Sequence, residues 1–297
     1  MRTVVTLSLV LLLSACCASL PEMPAKRVTA LPMPSASYAV QESSAVWRDE
    51  RRSRDVPVRI YAPAGAIGHL PVVIFSHGIG EDRDSYTYFG RALAAAGFIV
   101  VHPTHAGTDK AILRRGYWKL YQATKNPENW RNRPFDVSFV IDQLSTRPDI
   151  DMNRIAVAGH SAGAFSAFAV AGARGPNGES ALDERVRAII AMSMPKIDGL
   201  SYEDIRVPAL NMTGTCDSSL IYRTGPRDRR VPFEQAHAPN QYLVTIEGVN
   251  HNTFSNASDR HHELIVQLVI AFLRDRRWFD DPGVVVSGRD RLTIERK

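Results

Sequence analysis

The stretch that decides the fold runs from Arg154 to Phe165 and reads Arg-Ile-Ala-Val-Ala-Gly-His-Ser-Ala-Gly-Ala-Phe. Its apolar run, residues 155–158, is short and unbroken, which is typical of a strand buried on both faces. The run ends in Gly159-His160-Ser161-Ala162-Gly163, a match to the pattern G-x-S-x-G. This pattern places a serine on a sharp turn between a strand and a helix, where the two glycines avoid collisions. The stretch therefore predicts a nucleophilic serine at position 161.

Strands and helices alternate on both sides of this stretch. Buried strands are predicted at 71–76, 98–101, 188–192, 209–212 and 242–246, and helices at 84–96, 135–144 and 263–273. Such alternation implies parallel pairing, so we expect an α/β fold whose doubly wound, mostly parallel sheet carries helices on both faces. Two further strands, at 46–49 and 56–62, are predicted to form an antiparallel entry hairpin.

The amino-terminal end predicts a secretion signal. Met1-Arg2 precedes an apolar run, Val4 to Leu13, that is too short to span a bilayer. The run ends Leu13-Ser14-Ala15-Cys16, which resembles the lipobox of bacterial lipoproteins, where the cysteine becomes the lipid-modified first residue. We therefore expect a signal peptide over 1–15, a lipid anchor at Cys16 and a location in the bacterial cell envelope. Ordinary cleavage with release is the alternative, and Cys17 in place of an aspartate favours the outer membrane.

The rest of the chain is predicted to be a tether followed by one domain. Residues 16–44 are rich in Ala, Ser and Pro without a helical period, which indicates a tether. Residues 45–297 are enough for one large core, and the tail after Pro282 has no readable role. The formal charge of +5 on 297 residues is a mild excess without a long basic tract, so no nucleic-acid partner is expected.

The cysteines and the other potential ligands predict neither a disulfide nor a metal site. Two of the three cysteines lie at the processing site, so Cys216 is expected to be alone. We interpret Cys216 as a small filler near the pocket, with a reactive thiol as the alternative. No cluster of His, Cys and carboxylate residues demands a metal, and no cofactor is expected.

The serine needs a base to take its proton and an acid to hold that base. After a strand–turn–helix elbow these partners come later in the chain, the acid before the histidine. His251 follows a strand and precedes the last long helix, so it is the predicted base. The other histidines are less well placed, and His160, beside the serine, is expected to point away. Asp217, just beyond a strand end, is the predicted acid, with Asp198 as the alternative.

Two backbone N–H groups should hold the negative charge that develops on the substrate oxygen. Ala162, which follows the nucleophile, supplies one. The second is expected from Ile79, because Gly78 and Gly80 on either side allow the backbone to approach closely. The turn His77-Gly78-Ile79-Gly80 follows the strand at 71–76, as this role requires.

An insertion at 108–133 separates the strand at 98–101 from the next helix. Its aromatic residues stand among basic ones, namely Tyr117, Trp118, Tyr121 and Trp130 among Arg114, Arg115, Lys119, Lys125 and Arg131. One hypothesis is a cap that offers apolar walls to an acyl group. The alternative is a surface excursion whose aromatic residues fill a small core of their own.

Several of these motifs together resemble the α/β-hydrolase superfamily. They are the turn from Phe75 to Gly80, the segment 83–101, Arg133-Pro134-Phe135-Asp136 and the G-x-S-x-G elbow. The chain is most similar to the branch of dienelactone-hydrolase-like proteins and platelet-activating-factor acetylhydrolases, over roughly Trp47 to Phe279. Dienelactone hydrolases carry a cysteine nucleophile where this chain has Ser161, and the acetylhydrolases place the acid earlier than Asp217.

The resemblance and the residues together favour a membrane-anchored serine hydrolase of carboxylic esters. An acyl-enzyme on Ser161 should form and then react with water, without a cofactor or metal. Two alternatives stay open: acyl transfer to another acceptor by the same triad, and a binding lipoprotein that keeps the fold without catalysis. The natural ester, its acyl length and the oligomeric state cannot be predicted from the sequence.

Overall fold

The computed structural model describes residues 17–20, 25–27, 37–219, 223–255, 259–280, 283–287 and 289–297. The strands are β1 (Ala25–Arg27), β2 (Val40–Asp49), β3 (Arg54–Pro63), β4 (Leu70–Ser76), β5 (Ile99–Pro103), β6 (Ile150–His160), β7 (Val186–Met192), β8 (Ala209–Cys216), β9 (Gln241–Asn250), β10 (Gly283–Ser287) and β11 (Asp290–Arg296). The helices are α1 (Thr87–Ala95), α2 (Lys110–Leu113), α3 (Tyr117–Lys125), α4 (Pro127–Leu144), α5 (Ala162–Val170), α6 (Val231–Gln235) and α7 (His262–Arg274). The predicted signal peptide, 1–15, and Cys16 lie outside the described residues.

One sheet contains all eleven strands of the described ranges, in the order β1-β10-β11-β9-β8-β7-β6-β4-β5-β3-β2. Its six central strands, from β9 to β5, are parallel to their neighbours. At one end β2 and β3 form the predicted antiparallel hairpin, and at the other β11 pairs antiparallel with β9. The prediction of an α/β fold with a mostly parallel sheet is therefore confirmed.

Helices cover both faces of the sheet, because the central strands are apolar on both sides. In β4, Val73 and Phe75 face the core under α1 and α7, whereas Val72 and Ile74 face the core under α4 and α5. All four side chains are almost completely buried. Burial of one such side chain is worth about 1.5–3 kcal/mol, so the unbroken apolar run both buries the strand and selects its central place.

Segments near both ends of the chain form strands that the sequence did not predict. Residues 40–44, predicted as the end of the tether, form the first half of β2, and β1 adds a short parallel strand beside β10. The tail after Pro282, which the sequence left without a role, forms β10 and β11 and extends the sheet. Among the described residues, no helix is both long and apolar enough to cross a bilayer.

A disulfide joins Cys17 to Cys216, so the expectation that Cys216 is alone is wrong. Its sulfur is bonded, which excludes both the reactive thiol and the simple filler that the sequence suggested. The N–H of Ala18 donates to the carbonyl of Thr215 over 2.8 Å, and this bond lays the amino-terminal segment beside the end of β8. The pairing could not be predicted from the sequence, because the two cysteines are 199 positions apart and only the fold makes them neighbours.

Candidate active site

Ser161 occupies the strained turn between β6 and α5 that its motif predicts. Its backbone angles, φ 54° and ψ −120°, lie in a region that non-glycine residues rarely adopt. A Cβ atom on Gly159 would collide with the backbone of Gly163, and one on Gly163 would collide with the carbonyl of Ser76. Both glycines are therefore required by the close packing of β6, α5 and β4 around the serine.

The predicted base and acid lie side by side at the ends of two neighbouring strands. Cys216 at the end of β8 pairs with Asn250 at the end of β9, so the next residues, Asp217 and His251, emerge together. The His251 Nδ1 atom lies 3.2 Å from Asp217 Oδ1. The imidazole is 17% exposed, whereas the carboxylate is fully buried. The acid can thus hold the ring while the ring keeps access to a substrate.

Asp217 is surrounded by donors that favour its charged form. Its Oδ2 atom accepts hydrogen bonds from Ser193 Oγ at 2.5 Å and Thr213 Oγ1 at 2.8 Å, and Arg229 Nη2 lies 3.1 Å from Oδ1. Burial opposes ionisation of the carboxyl, but the His251 hydrogen bond and the Arg229 charge outweigh it and lower the pKa to about 2. Asp217 is therefore an anion at neutral pH.

Arg229 is a part of this site that sequence reasoning missed. Its guanidinium is 1% exposed, and its Nη2 lies 3.1 Å from both Asp217 Oδ1 and His251 Nδ1. Its Nη1 donates to the carbonyls of Ser193 and Met194, each at 2.7 Å. Nothing in the local sequence distinguishes this arginine from its neighbours, since only the fold brings it under the acid.

The alternative acid, Asp198, lies elsewhere. Its side chain is exposed, and no hydrogen bond joins it to His251 or to another described residue. The turn that carries it follows β7, and the place beside His251 is taken by Asp217 from β8. The structure therefore brings Asp217, and not Asp198, to the predicted base.

Ser161 is linked to His251 by the residue that precedes it, His160. The His160 and His251 rings are in contact, with centroids 4.7 Å apart, and Ser161 follows His160 directly. The Ser161 side chain is buried, and among the described residues its hydroxyl makes no hydrogen bond, to His251 or any other. Contacts between nucleophile and base are often loose in free hydrolases and tighten when substrate binds.

His160 does not point away from the site, contrary to expectation. Besides packing on His251, its Nδ1 atom lies 2.7 Å from the Tyr86 hydroxyl, which is hydrogen bonded to Glu81. Burial and the nearby His251 hold the pKa of His160 well below its ordinary value of 6.5, so its ring is neutral at neutral pH. Burial also raises the pKa of Glu81 to about 7. A neutral ring can pack on His251 without repelling the charge it gains as a base.

The two glycines of the oxyanion turn use their N–H groups inside the protein. The N–H of Gly78 donates to Glu81 Oε2 at 3.1 Å, and that of Gly80 donates to the carbonyl of Thr108 at 2.8 Å. Between them, the N–H of Ile79 makes no hydrogen bond to a described residue, and neither does that of Ala162 at the start of α5. Both N–H groups that were predicted to hold the oxyanion are therefore without an acceptor among the described residues.

Arg133 braces this turn from inside the protein. Its guanidinium is fully buried, and it donates to the carbonyl of His77 and to Thr108 Oγ1, the latter at 2.7 Å. The N–H of His105 donates to His77 Nε2 at 2.9 Å and holds the turn from the other side. These contacts explain why Arg133 belongs to the motif that the sequence singled out.

A second Ser-His-Asp series lies within the core. Ser76 Oγ is 2.8 Å from His105 Nε2, and His105 Nδ1 is 3.0 Å from Asp136 Oδ2. All three side chains are fully buried, and Asp136 is also paired with Arg52 and Arg54. A substrate cannot reach this serine, so the series has the residues of a catalytic triad but is closed to substrate.

The insertion at 108–133 folds into α2, α3 and the start of α4. A Cβ atom built on Gly80 lies 3.4 Å from the side chains of Leu113 and Leu120, so these helices pack against the oxyanion turn. Tyr117, Trp118 and Tyr121 are exposed, and they therefore do not fill a core of the insertion. Trp130 instead packs edge-on against Phe165 of α5, with ring centroids 5.1 Å apart.

No set of three or more His, Cys, Asp and Glu side chains in the described ranges is arranged to hold a metal ion. The groups that this site brings together are a serine hydroxyl, an imidazole, a carboxylate and two backbone N–H donors. Together these groups can activate a hydroxyl and stabilise an oxyanion.

Comparison with known proteins places these features in a family. The family model described as Chlorophyllase matches residues 34–218, a range that includes Ser161 and Asp217 and ends before His251. A bifunctional acetylxylan esterase/xylanase of Neocallimastix patriciarum is 26% identical over 197 residues, which are 65% of this chain and 26% of that protein. A chlorophyllase type 0 of Chenopodium album is 32% identical over 115 residues, 39% of this chain and 32% of its own length. The chain thus spans a third or less of the curated relatives that it matches.

Proposed function

This chain belongs to the chlorophyllase family of the α/β-hydrolase superfamily, and we propose on that basis that it hydrolyses carboxylic esters with Ser161 as the nucleophile. The observation that carries the proposal is the joint placement of three features. Ser161 sits on the strained elbow, Asp217 and His251 emerge together from β8 and β9, and the N–H groups of Ile79 and Ala162 are unoccupied.

The proposed reaction has two halves that share one set of residues. Ser161 Oγ attacks the ester carbonyl while His251 Nε2 takes its proton, and the Asp217 carboxylate holds Nδ1 of the resulting imidazolium. The N–H groups of Ile79 and Ala162 hold the oxyanion, and each such donor is worth on the order of 3 kcal/mol of barrier. The alcohol leaves with the proton from His251, and a water molecule activated by the same ring then releases the acid.

A covalent label tests the nucleophile. The purified protein is treated with a fluorophosphonate, and the adduct is mapped by peptide mass. We expect label on Ser161, none in Ser161→Ala, and undiminished label in Ser76→Ala, because Ser76 belongs to the inaccessible series. An unlabelled wild-type protein, or a label that survives in Ser161→Ala, would reject the proposal.

We also propose that the insertion 108–133 forms one wall of the acyl pocket. Support comes from Trp130, which packs on Phe165 of the helix that begins after Ser161, and from Leu120, which packs on the oxyanion turn. Trp130→Ala should change the preference among chromogenic esters of increasing acyl length, whereas the exposed Leu182→Ala should not. An identical length preference in the Trp130 variant would exclude this role.

The location proposed for the enzyme is the cell envelope, with a lipid on Cys16. The disulfide of the neighbouring Cys17 supports an oxidising compartment, because such bonds are rare in reducing ones. The test is fractionation of cells that express the wild type and Cys16→Ser, with intact mass of the membrane-extracted protein. A wild-type protein without added lipid mass would contradict the anchor.

A further inference from the structure

Half of the large apolar side chains that are exposed in the described residues lie in or next to one segment of the sequence, the insertion. Eight are exposed overall, and four of these lie within or beside the insertion: Tyr117 (83% exposed), Trp118 (68%), Tyr121 (44%) and Phe135 (37%). The remaining four are scattered singly, as is normal for a protein surface. Concentrated exposure of aromatic rings marks an interaction site more often than chance.

The position of α3 explains why these rings face outward. Leu120 is the one residue of this nine-residue helix that is buried, and it packs on the oxyanion turn at Gly80. On the outer side, the Trp118 and Tyr121 rings stack on each other, with centroids 5.6 Å apart. No element in the described ranges covers this side of the helix. We call the four exposed rings and the basic residues around them the α3 patch.

The segment that carries these rings is also rich in basic side chains that form no ion pairs with described residues. Residues 109–131 include two acidic residues, Asp109 and Glu128, against six exposed cations: Lys110, Arg114, Arg115, Lys119, Lys125 and Arg131. None of the six forms an ion pair with a described residue, although most other arginines of this protein do. Lys125 and Arg131 instead lie over the rings of Tyr121 and Phe135.

We propose that the α3 patch docks on a lipid surface with anionic head groups. Tryptophan and tyrosine favour the depth where head groups meet acyl chains, and unpaired lysine and arginine gain about 1 kcal/mol each, roughly fivefold in affinity, near an anionic surface. Aromatic rings and cations also suit a protein interface, but the lipid anchor proposed at Cys16 would hold this protein at a membrane. The rings and charges together therefore match a lipid surface better.

Docking in this orientation also bears on the reaction. Because Leu113 and Leu120 of the insertion pack on the oxyanion turn at Gly80, a lipid surface bound to the outer side of α3 would be one helix away from that turn. An ester dissolved in that surface would reach the serine without crossing bulk water. This second step rests on the proposed esterase function, whereas the docking itself does not.

Vesicle binding tests the docking without relying on activity. All proteins carry Cys16→Ser, so that an attached lipid cannot supply binding, and are sedimented with vesicles of phosphatidylcholine alone or mixed with phosphatidylglycerol. We expect binding to the mixed vesicles only, about 25-fold weaker in Lys119→Glu, which removes one cation and adds an anion, and about tenfold weaker in Trp118→Ala. The matched controls, Arg206→Glu and Ile67→Ala, change exposed residues in the loops that precede β8 and β4, outside the α3 patch, and should bind as the parent does.

Three outcomes would overturn the docking. Absence of binding to mixed vesicles excludes a lipid surface, and equal loss in the control variants shows that binding is unspecific. Binding to mixed vesicles that falls with Lys119→Glu but not with Trp118→Ala shows that the rings do not enter the lipid surface, which contradicts the proposed docking. If the parent docks as expected but shows no turnover of a vesicle-borne ester, the docking stands and the proposed esterase function fails instead.

Discussion

Replacing Asp217 by asparagine separates the catalytic part of the buried cluster from its structural part. The carboxylate is fully buried and accepts from four groups: His251 and Arg229 at Oδ1, and Ser193 and Thr213 at Oδ2. An asparagine keeps the size but turns one acceptor into a donor, and it removes the negative charge opposite Arg229. Turnover and stability should therefore both fall, for different reasons.

The size of each loss follows from these contacts. Removing one partner of a buried ion pair costs about 3–5 kcal/mol, because Arg229 is left as an uncompensated charge. Loss of the acid that orients the base lowers turnover on the order of 10⁴-fold. Removing the charge as well, in Asp217→Asn with Arg229→Met, should recover part of the stability. Recovery stays incomplete, since the carbonyls of Ser193 and Met194 lose their donor at about 1 kcal/mol each.

The assay pairs urea unfolding with kcat/KM on a soluble chromogenic ester. The single variant should lose both properties, and the double variant should regain stability without regaining turnover. Asp198→Asn is the matched control, because that aspartate is exposed and was the alternative acid. Turnover of Asp217→Asn within tenfold of the wild type, or an equal loss in Asp198→Asn, would refute the assignment of the acid.

Three further predictions concern the fold around the site. Gly163→Ala should prevent folding or lower the melting temperature steeply, because its Cβ would collide with the Ser76 carbonyl. The control Gly225→Ala, where space is free, should melt as the wild type does. Equal melting temperatures for the two variants would contradict this packing. Reduction of the Cys17–Cys216 disulfide should lower the free energy of unfolding by about 2–4 kcal/mol, which unfolding curves with and without reductant would measure. Identical curves would show that the bond is not important for stability. Burial raises the pKa of Glu81 from its ordinary 4.5 to about 7, so the folded protein keeps a proton that the unfolded chain has lost. Its contribution to stability therefore declines as pH rises from 4.5 to 7 and is level above, a slope that Glu81→Gln should remove from a series of unfolding curves; parallel pH profiles for the two proteins would disprove it.

Local patterns account for the parts of the site that could be predicted. The elbow at Ser161 needs two glycines within five residues, and a strand buried on both faces needs an unbroken apolar run, so both leave a signature in consecutive residues. The order of acid and base is also a local signal, because each follows the end of a strand. The register of β8 and β9 then places Asp217 beside His251.

Contacts between distant residues account for what the sequence missed. Arg229 beneath Asp217, the His160 ring on His251 and Cys17 on Cys216 each join parts of the chain that no periodicity relates. Each depends on which strands are neighbours, and strand order is a property of the whole sheet. The amino-terminal disulfide in particular required the end of β8 to lie beside a segment predicted to be a tether.

Accessibility is the property that only the tertiary structure decided. The described residues include two Ser-His-Asp sets: hydrogen bonds join all three members around Ser76, whereas around Ser161 they join only His251 to Asp217. The sequence by itself singled out Ser161, because backbone strain at a tight turn restricts which residues can flank it. That Ser76 is enclosed while His251 remains partly open follows from how helices cover the sheet, since burial is set by packing from elements far apart in the chain.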